Sequence, residues 1–318
     1  MLLRNSFVFI GLALASSTAT ADIGFTRIGV PPVGDPQTPP FSDAYGVSDN
    51  GTVVGSHFIP GTGFRSFSWT AAGGRQQING LTPSSGIFAR SITPDSRVIV
   101  GENTGPGVAC RQIDGGAIQS LGFSDPDIYD QSSASDVSND GAAVSGLLSR
   151  VEDGTFRAAR WTEGSGWQDL GTLDGDYESS ANTISGDGSV VAGYSAGTYF
   201  TAVRWTQASG LQALPNPFGI TSNTAVIAIA ADASSSVGQA ADANGFSQAA
   251  VWKSNGTTQI LSLADGFDSA AAFGVSGNGS IIGGSFFNDS VGQDTAAFWT
   301  ADGTAYNLQV FLTGQGID

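Results

Sequence analysis

The sequence has very few of the residues on which many catalytic and metal sites depend. Its 318 residues include one Cys, Cys110, and one His, His57. A single thiol cannot form an intrachain disulfide, so an exported chain of this kind would owe its stability to packing. Zinc sites use mainly Cys and His ligands, and a Ser-His-Asp arrangement needs a His base. We therefore expect Cys110 to be a small buried hydrophobe and His57 to be a structural residue, at the surface or half-buried.

Basic residues are also scarce. The chain has 12 Lys and Arg against 28 Asp and Glu, a formal net charge of −16. Nucleic acids and anionic lipids are bound largely through Lys and Arg, so the composition argues against both as partners. The acidic balance suits a cation or a basic ligand, although negative charge also simply keeps exported proteins soluble.

Long hydrophobic runs are confined to the N-terminus. Arg4 precedes an apolar run at residues 7–15, which is shorter than the ~20 residues of a membrane-spanning helix. Ala19-Thr20-Ala21 has the form of a signal-peptidase cleavage site. We predict that residues 1–21 are a signal peptide and that 22–318 are secreted or extracellular, with the bacterial cell surface or periplasm also open. An anchor helix is the alternative interpretation of the run; no transmembrane segment is expected later in the chain.

Residue types typical of turns and short strands are abundant in the chain, and they are arranged in a repeat. The 45 Gly residues accompany Asn, Asp and Ser between short runs of Val, Ile, Thr and Phe, as in tight hairpins. One hairpin motif recurs six times, with anchor positions 45 to 47 residues apart, and the fifth copy is degenerate at Ala230 and Ala233. The anchors are Ser48, Thr93, Ser138, Ser185, Ala230 and Ser276.

Two further features recur in each period. A Trp ends a strand three residues after Ala or Ser, except in the second repeat, where an Arg stands about where the Trp is expected. A Gly ends the second strand of each hairpin, and we predict that the Trp ring of one repeat lies over this backbone in a neighbouring sheet. The tryptophans are Trp69, Trp161, Trp205, Trp252 and Trp299, and the glycines are Gly55, Gly101, Gly146, Gly193, Gly238 and Gly284.

Each period therefore holds four short strands, which we call a, b, c and d. Four-stranded units repeated at about 45 residues predict an all-β fold, a β-propeller of six blades, with seven as the alternative and a β-solenoid as the main rival. We expect residues 22–318 to form this single domain. A lone strand at 25–30 could close the ring, and the abrupt tail at 309–318 suggests a sequence truncated at its C-terminus.

The block at 161–195 resembles the HAF-repeat family of predicted bacterial extracellular proteins. The matching segments are 170–173 (LGTL), 180–181 (SA), 184–188 and 190–195. The resemblance extends weakly over 41–310 and implies an exported repeat protein without a particular chemistry. The family's His is absent, because Arg65, Arg157, Thr201, Gln248 and Thr295 stand near its place.

Carboxylates in the loops between strand d and the next strand a are the remaining candidates for chemistry. Calcium binds carboxylate and carbonyl oxygens in such loops, and a carboxylate pair could hydrolyse a glycan. The alternative is that these residues are solvated turn caps. No cofactor is expected, apart from calcium as an option. The candidates are Asp125, Asp127, Asp130, Asp174, Asp176, Glu178, Asp265 and Asp268.

Three functions remain open at this point. The first is a non-enzymatic exported propeller that binds an unknown protein or glycan through these acidic loops. The second is an extracellular polymer (glycan) hydrolase or lyase on the same scaffold. The third is a purely structural surface repeat. Two carboxylates about 5–9.5 Å apart in a concave site would favour the enzyme, whereas carboxylates spread into solvent would favour binding.

Overall fold

The computed structural model describes residues 42–59, 63–82, 85–105, 107–219, 221–288 and 291–316. They form six four-stranded antiparallel sheets in consecutive order, a six-bladed β-propeller, which confirms the predicted fold class and blade number. The predicted signal peptide and the strand expected at 25–30 lie outside the described residues. Blades 1 to 3 are β1 (Ser42–Val47), β2 (Val53–Ile59), β3 (Gly63–Thr70), β4 (Gly74–Ile78); β5 (Ile87–Ile92), β6 (Val98–Asn103), β7 (Val108–Ile113), β8 (Ile118–Ser120); β9 (Tyr129–Val137), β10 (Ala143–Arg150), β11 (Phe156–Thr162), β12 (Gly166–Gly171). Blades 4 to 6 are β13 (Glu178–Ile184), β14 (Val190–Ala196), β15 (Phe200–Thr206), β16 (Gly210–Ala213); β17 (Thr224–Ile229), β18 (Ser235–Ala241), β19 (Ser247–Lys253), β20 (Thr258–Ile260); β21 (Ser269–Val275), β22 (Ile281–Asn288), β23 (Gln293–Thr300), β24 (Ala305–Asn307).

The strand order gives the propeller two different faces. Strands a of successive blades contact one another from blade 1 to blade 6, so strand a is the innermost strand. Because neighbouring strands are antiparallel, the a–b and c–d hairpin turns emerge together on one face, which we call the turn face. The b–c and d–a loops emerge on the opposite face, which we call the loop face. This alternation decides which charged residues of the repeat lie together.

The strand-b glycines are required by the conformation of strand a in their own blade. In every blade strand a carries a β-bulge opposite this Gly, as at Ala181 and Thr183 opposite Gly193 and Ala192. A Cβ on Gly193 would collide with the Ser180 carbonyl oxygen, and the other five glycines meet the equivalent carbonyl. The role predicted for these glycines, a seat for a neighbouring sheet's Trp, is therefore corrected: they accommodate the bulge.

The aromatic rings that do approach these glycines come from the same sheet. In blade 3 a Cβ on Gly146 would lie 3.1 Å from the Trp167 ring, and in blade 6 one on Gly284 would lie 2.9 Å from the Trp299 ring. Both Trp residues belong to the blade of the glycine they approach.

The tryptophans of strand c do lie at the interface with the preceding blade. Trp205 is buried in one cluster with Ala158 and Leu170 of blade 3. The indole N–H of Trp252 donates to the Pro215 carbonyl of the preceding blade at 2.8 Å, and the Trp299 indole N–H does the same to the Ser262 carbonyl, also at 2.8 Å. The strand-c Trp of blade 1, Trp69, is half-buried.

The strand register also corrects the expectation for the second repeat. Gln112 pairs with Ile99 as Trp161 pairs with Val144, so Gln112 occupies the Trp position of blade 2. Arg111, one residue earlier, reaches across to blade 3 instead. Its guanidinium lies 4.9 Å from the centre of the Trp161 ring, which is a cation–π contact.

Buried hydroxyl groups form hydrogen bonds between successive blades. Ser179, at the start of strand a in blade 4, accepts the Ala158 N–H at 2.8 Å and donates to the Gly171 carbonyl at 2.6 Å, both in blade 3. Ser132 makes the same pair of bonds between blades 3 and 2, and Thr224 accepts the N–H of strand c between blades 5 and 4. In blades 2, 3 and 4 the small residue three before the Trp position is thus the residue whose buried N–H is paired across the interface.

The chain continues past the last blade into one short helix. Helix α1 (Leu308–Gly314) begins at Asn307, whose side chain accepts the Val310 N–H at 3.1 Å. The Phe311 ring packs edge-on against Phe298 and Tyr306 of blade 6. Helix α1, within the part of the chain the structure describes, is too short to cross a membrane, and no other helix there could do so.

Candidate functional site

The loop face carries negative charge with little compensation. The described b–c and d–a loops contain nine carboxylates and no Lys or Arg. Arg150 and Arg157 stand at strand ends beside this face; Arg150 pairs with Glu152 at 2.8 Å and with Asp153 at 3.0 Å. The nine carboxylates are Asp125, Asp127, Glu152, Asp153, Asp174, Asp176, Asp242, Asp265 and Asp268.

The first predicted group lies between β8 and β9. The Asp125 carboxylate is half-buried and accepts the Asp127 N–H at 2.9 Å, while the Asp125 carbonyl accepts the Tyr129 N–H at 2.8 Å. Asp127 is exposed, and Asp130 is the exposed second residue of strand β9. In this loop the capping interpretation holds for Asp125, whereas Asp127 and Asp130 extend into solvent.

The second group lies between β12 and β13, in the loop with the greatest chemical interest. Asp174 is exposed, and Asp176 is half-buried with one carboxylate oxygen that is buried and has no hydrogen-bond partner among the described residues. Glu178 begins strand β13, and after burial its charge is the next cause that raises the pKa of Tyr194 on strand β14. The Arg157 guanidinium of blade 3 donates to the Tyr177 carbonyl of this loop at 2.5 Å, which fixes the loop against the neighbouring blade.

The third group lies between β20 and β21. Asp265 is exposed and Asp268 is half-buried. The Asp268 backbone is held from both sides, since its N–H donates to the Phe287 carbonyl at 3.1 Å and its carbonyl accepts from the Gln248 side chain at 3.1 Å. These two hydrogen bonds therefore fix the C-terminal end of this loop next to blade 6.

Three residues of the loop face come from loops that the sequence argument did not consider. Glu152, Asp153 and Asp242 lie in b–c loops, which emerge beside the d–a loops because of the antiparallel strand order. Asp153 accepts the Thr155 N–H at 3.0 Å and Asp242 accepts the Asn244 N–H at 2.8 Å. The repeat register contained the necessary signal, since any four-stranded meander places b–c and d–a connections on one side.

The turn face is acidic in a different way, because its carboxylates build the turns. In blade 4 the Asp187 carboxylate accepts from the Ser185 hydroxyl at 2.6 Å and from the Ser189 N–H at 3.0 Å. Hydrogen bonds of this type, from turn hydroxyls and backbone N–H groups, lower the pKa of each of these carboxyls. The residues in this role are Asp95, Asp140, Asp187, Asp232 and Asp302.

Strand a of blade 3 contains a buried carboxylate, Asp136, whose structural role the sequence did not indicate. Asp136 accepts four hydrogen bonds, from the Ser91 hydroxyl of blade 2, its own blade's Val137 N–H, and the Thr183 hydroxyl and Ile184 N–H of blade 4. Burial raises the pKa of Asp136, and these hydrogen bonds oppose the rise. Every acceptor site is occupied, so Asp136 joins three blades and is not available for chemistry.

The single His and the single Cys of the chain are both buried. The expectation that His57 is at the surface or half-buried is wrong, because the residue is 4% exposed and its ring packs 6.0 Å from that of Phe67. Its Nδ1 has no hydrogen-bond partner among the described residues. Burial and then the charges of Arg75 and Arg65 lower the pKa of His57. A catalytic triad needs a carboxylate at that nitrogen. Cys110 is buried as expected, and burial followed by the charge of Glu102 raises its pKa to about 12, so the thiol is not a reactive thiolate.

No metal centre is formed by side chains in the described ranges. There, no three His, Cys, Asp or Glu residues lie close enough together to hold an ion. No three of the eight predicted carboxylates, all of which lie in those ranges, therefore form such a group. The calcium hypothesis would need backbone carbonyls to complete a site and stays a prediction.

Comparison with known proteins supports the fold and goes no further. No family model and no curated protein matches the sequence. Among solved structures the chain is similar to TolB from Acinetobacter baumannii, with a TM-score of 0.51 and 16% identity over 77% of this chain and 59% of that one. It is also similar to virginiamycin B lyase from Staphylococcus aureus (TM-score 0.55, 14% identity, 84% of each chain) and to an oligogalacturonate lyase in complex with manganese (TM-score 0.52, 11% identity, 85% of this chain and 84% of that one). At such identities the likeness shows the β-propeller scaffold alone.

Proposed function

We propose that the chain is an exported, non-enzymatic binding module that uses its loop face to hold a positively charged ligand. The observation that carries this proposal is the charge of that face: nine carboxylates in the described loops, with no Lys or Arg in the same loops. Fields of one sign over a surface raise the local concentration of ligands of the opposite sign. Export rests on the predicted signal peptide at 1–21, and membership of the HAF-repeat family is part of the same proposal.

The arrangement of the loops supports binding over hydrolysis. Asp127, Asp174 and Asp265 come from three different blades and are exposed. Exposed carboxylates on separate loops suit a broad contact with a basic protein surface or an amino glycan, whereas acid–base hydrolysis needs two carboxylates facing one bond.

The test is a comparison of two variants with equal net charge. One variant carries Asp127→Asn, Asp174→Asn and Asp265→Asn on the loop face. The matched control carries Asp49→Asn, Asp114→Asn and Glu163→Gln on the turn face, where none of the three is a turn-capping residue of the set described above. Calorimetric titrations with Ca²⁺, a Lys-rich peptide and a chitosan oligomer separate cation, protein and glycan as the ligand class. We expect binding of at least one probe to weaken in the loop-face variant only; equal weakening in both variants would refute a dedicated face.

A further inference from the structure

The turn face has a cleft between blades 5 and 6. The cavity is about 160 Å³ in volume and opens to solvent. Strands b, c and d of blade 5, with its a–b turn, form one wall, and the a–b and c–d turns and the start of strand b of blade 6 form the other. Its lining includes Ser234, Ser235, Val251, Lys253, Gln259 and Asn278.

The blade 5 wall of the cleft has a valine at a position that is arginine in the three preceding blades. The residue before the strand-c Trp position is Arg111, Arg160 and Arg204 in blades 2, 3 and 4, Val251 in blade 5, and Ser68 and Phe298 in blades 1 and 6. Arg160 shows what the arginine does, since its Nε donates to the Gly188 carbonyl of the next blade at 2.8 Å. Gly279 is the turn glycine equivalent to Gly188, and it lines the cleft. Loss of the long side chain therefore leaves space between the two blades.

Two polar substitutions face that space. Ser235 occupies a position that is apolar in blades 2, 3, 4 and 6, where Val98, Ala143, Val190 and Ile281 stand. The Ser235 side chain is 8% exposed, and its hydroxyl is buried without a hydrogen-bond partner among the described residues. An unpaired buried hydroxyl costs free energy. Ser145 and Ser285 have hydroxyls in the same state, but of the three only Ser235 lines the cleft, where a ligand could pair with it.

The second substitution supplies the charge. Lys253 is the only Lys in the chain, and it stands where the other blades have Thr70, Ile113, Thr162, Thr206 and Thr300. Strand register places Lys253 directly opposite Ser235, so the two side chains lie on the same side of the sheet. An ammonium and a hydroxyl side by side form a donor pair for an anionic oxygen.

We propose that this cleft binds the carboxylate of a small sugar acid. Lys253 and Ser235 would hold the carboxylate. The Gln259 Nε2 donates to the Asp302 carbonyl at 3.2 Å and the Asn278 Oδ1 accepts the Ser280 N–H at 3.1 Å, so the Gln259 Oε1 and the Asn278 Nδ2 would face the sugar hydroxyls. A single ammonium suits a monoanion. This site lies on the opposite face from the carboxylates of the binding proposal and does not depend on it.

The single Lys provides a selective reporter for the test. Isotope-labelled lysine places one NMR signal in the mature chain, at the cleft itself. We expect galacturonate to shift this signal saturably in 0.15 M salt, and galactose, which has the same ring shape without the carboxylate, to leave it in place. Ser235→Val restores the apolar residue of the sibling blades, so it is expected to fold at least as well as wild type while weakening galacturonate binding by about tenfold or more, the value of one charge-assisted hydrogen bond.

Val251→Arg tests the shape of the cleft, because the arginine should fill it as Arg160 fills its own interface. We expect no galacturonate binding in this variant. Several results would overturn the proposal: no saturable shift with galacturonate at tens of millimolar, equal shifts with galactose, unchanged binding in Ser235→Val, or a shift with arginine amide in place of the acid. The last result would show that the cleft accepts a guanidinium, as its sibling interfaces do.

Discussion

Removal of the Ser179 hydroxyl tests how successive blades are held together. The side chain is 1% exposed and pairs two buried groups of blade 3, the Ala158 N–H and the Gly171 carbonyl. In Ser179→Ala both groups lose their partner, and a buried unpaired group costs about 1–3 kcal/mol. We expect the free energy of unfolding to fall by about 2–4 kcal/mol. Ser179→Thr should restore most of it, because Thr224 makes the equivalent bond to the Ala202 N–H at 2.8 Å.

Equilibrium unfolding in urea, followed by tryptophan fluorescence, measures this loss. Ser165→Ala is the control, since Ser165 is exposed in a c–d turn of the same region and its replacement should stay within about 0.5 kcal/mol of wild type. A Ser179→Ala protein as stable as the control would refute the idea that hydrogen bonds of these hydroxyl groups hold successive blades together. Equal losses in the Ala and Thr variants would show that side-chain volume, and not the hydrogen bonds, is what matters.

Three further changes probe other parts of the fold. Trp205→Ala removes a buried ring at the interface of blades 3 and 4 and should cost about 3–5 kcal/mol in urea unfolding; Trp69→Ala should cost less, because Trp69 is half-buried. Gly284→Ala should destabilise severely, since its Cβ meets the strand-a carbonyl, whereas Gly283→Ala next to it finds open space and should fold normally; circular dichroism melting distinguishes them. Asp187→Asn keeps the turn, as Asn278 does in blade 6, but removes a carboxyl whose pKa is lowered by folding. Wild type should therefore be the more stable protein at pH 7, and its advantage should disappear as the pH falls below about 4, through the lowered folded-state pKa.

The repeat pattern predicted the propeller because each period contains its own turn and strand signals. The Asp-Gly and Asn-Gly pairs fix hairpins locally, and the Trp position fixes the interface side of strand c. Even the degenerate fifth repeat keeps its turn, with Ala233 in the left-handed region at φ 57°. These are short-range signals, and a single sequence displays them directly.

What the sequence did not reveal depends on contacts between strands and between blades. The glycine requirement at Gly193 comes from a bulge on the facing strand, which the sequence of strand b does not encode. The pairing of Ser179 with Ala158 joins residues 21 apart in different sheets. Glu152 and Asp242 are members of the loop face that the d–a loops alone do not predict, because they lie in b–c loops. The positions of the eight predicted carboxylates in or beside the d–a loops follow from the repeat, but whether three of them meet in one group depends on three-dimensional placement.

Binding of a cationic ligand at the loop face is the central claim, and hydrogen–deuterium exchange tests it most directly. The mature chain would be compared with and without a Lys-rich peptide at low ionic strength, where surface electrostatics are least screened. We predict slower exchange in the loops at 121–128, 172–177 and 261–268, with the turns at 138–142 and 185–189 unchanged. Protection of those turns instead, or no protection in any loop at saturating peptide, would contradict the account.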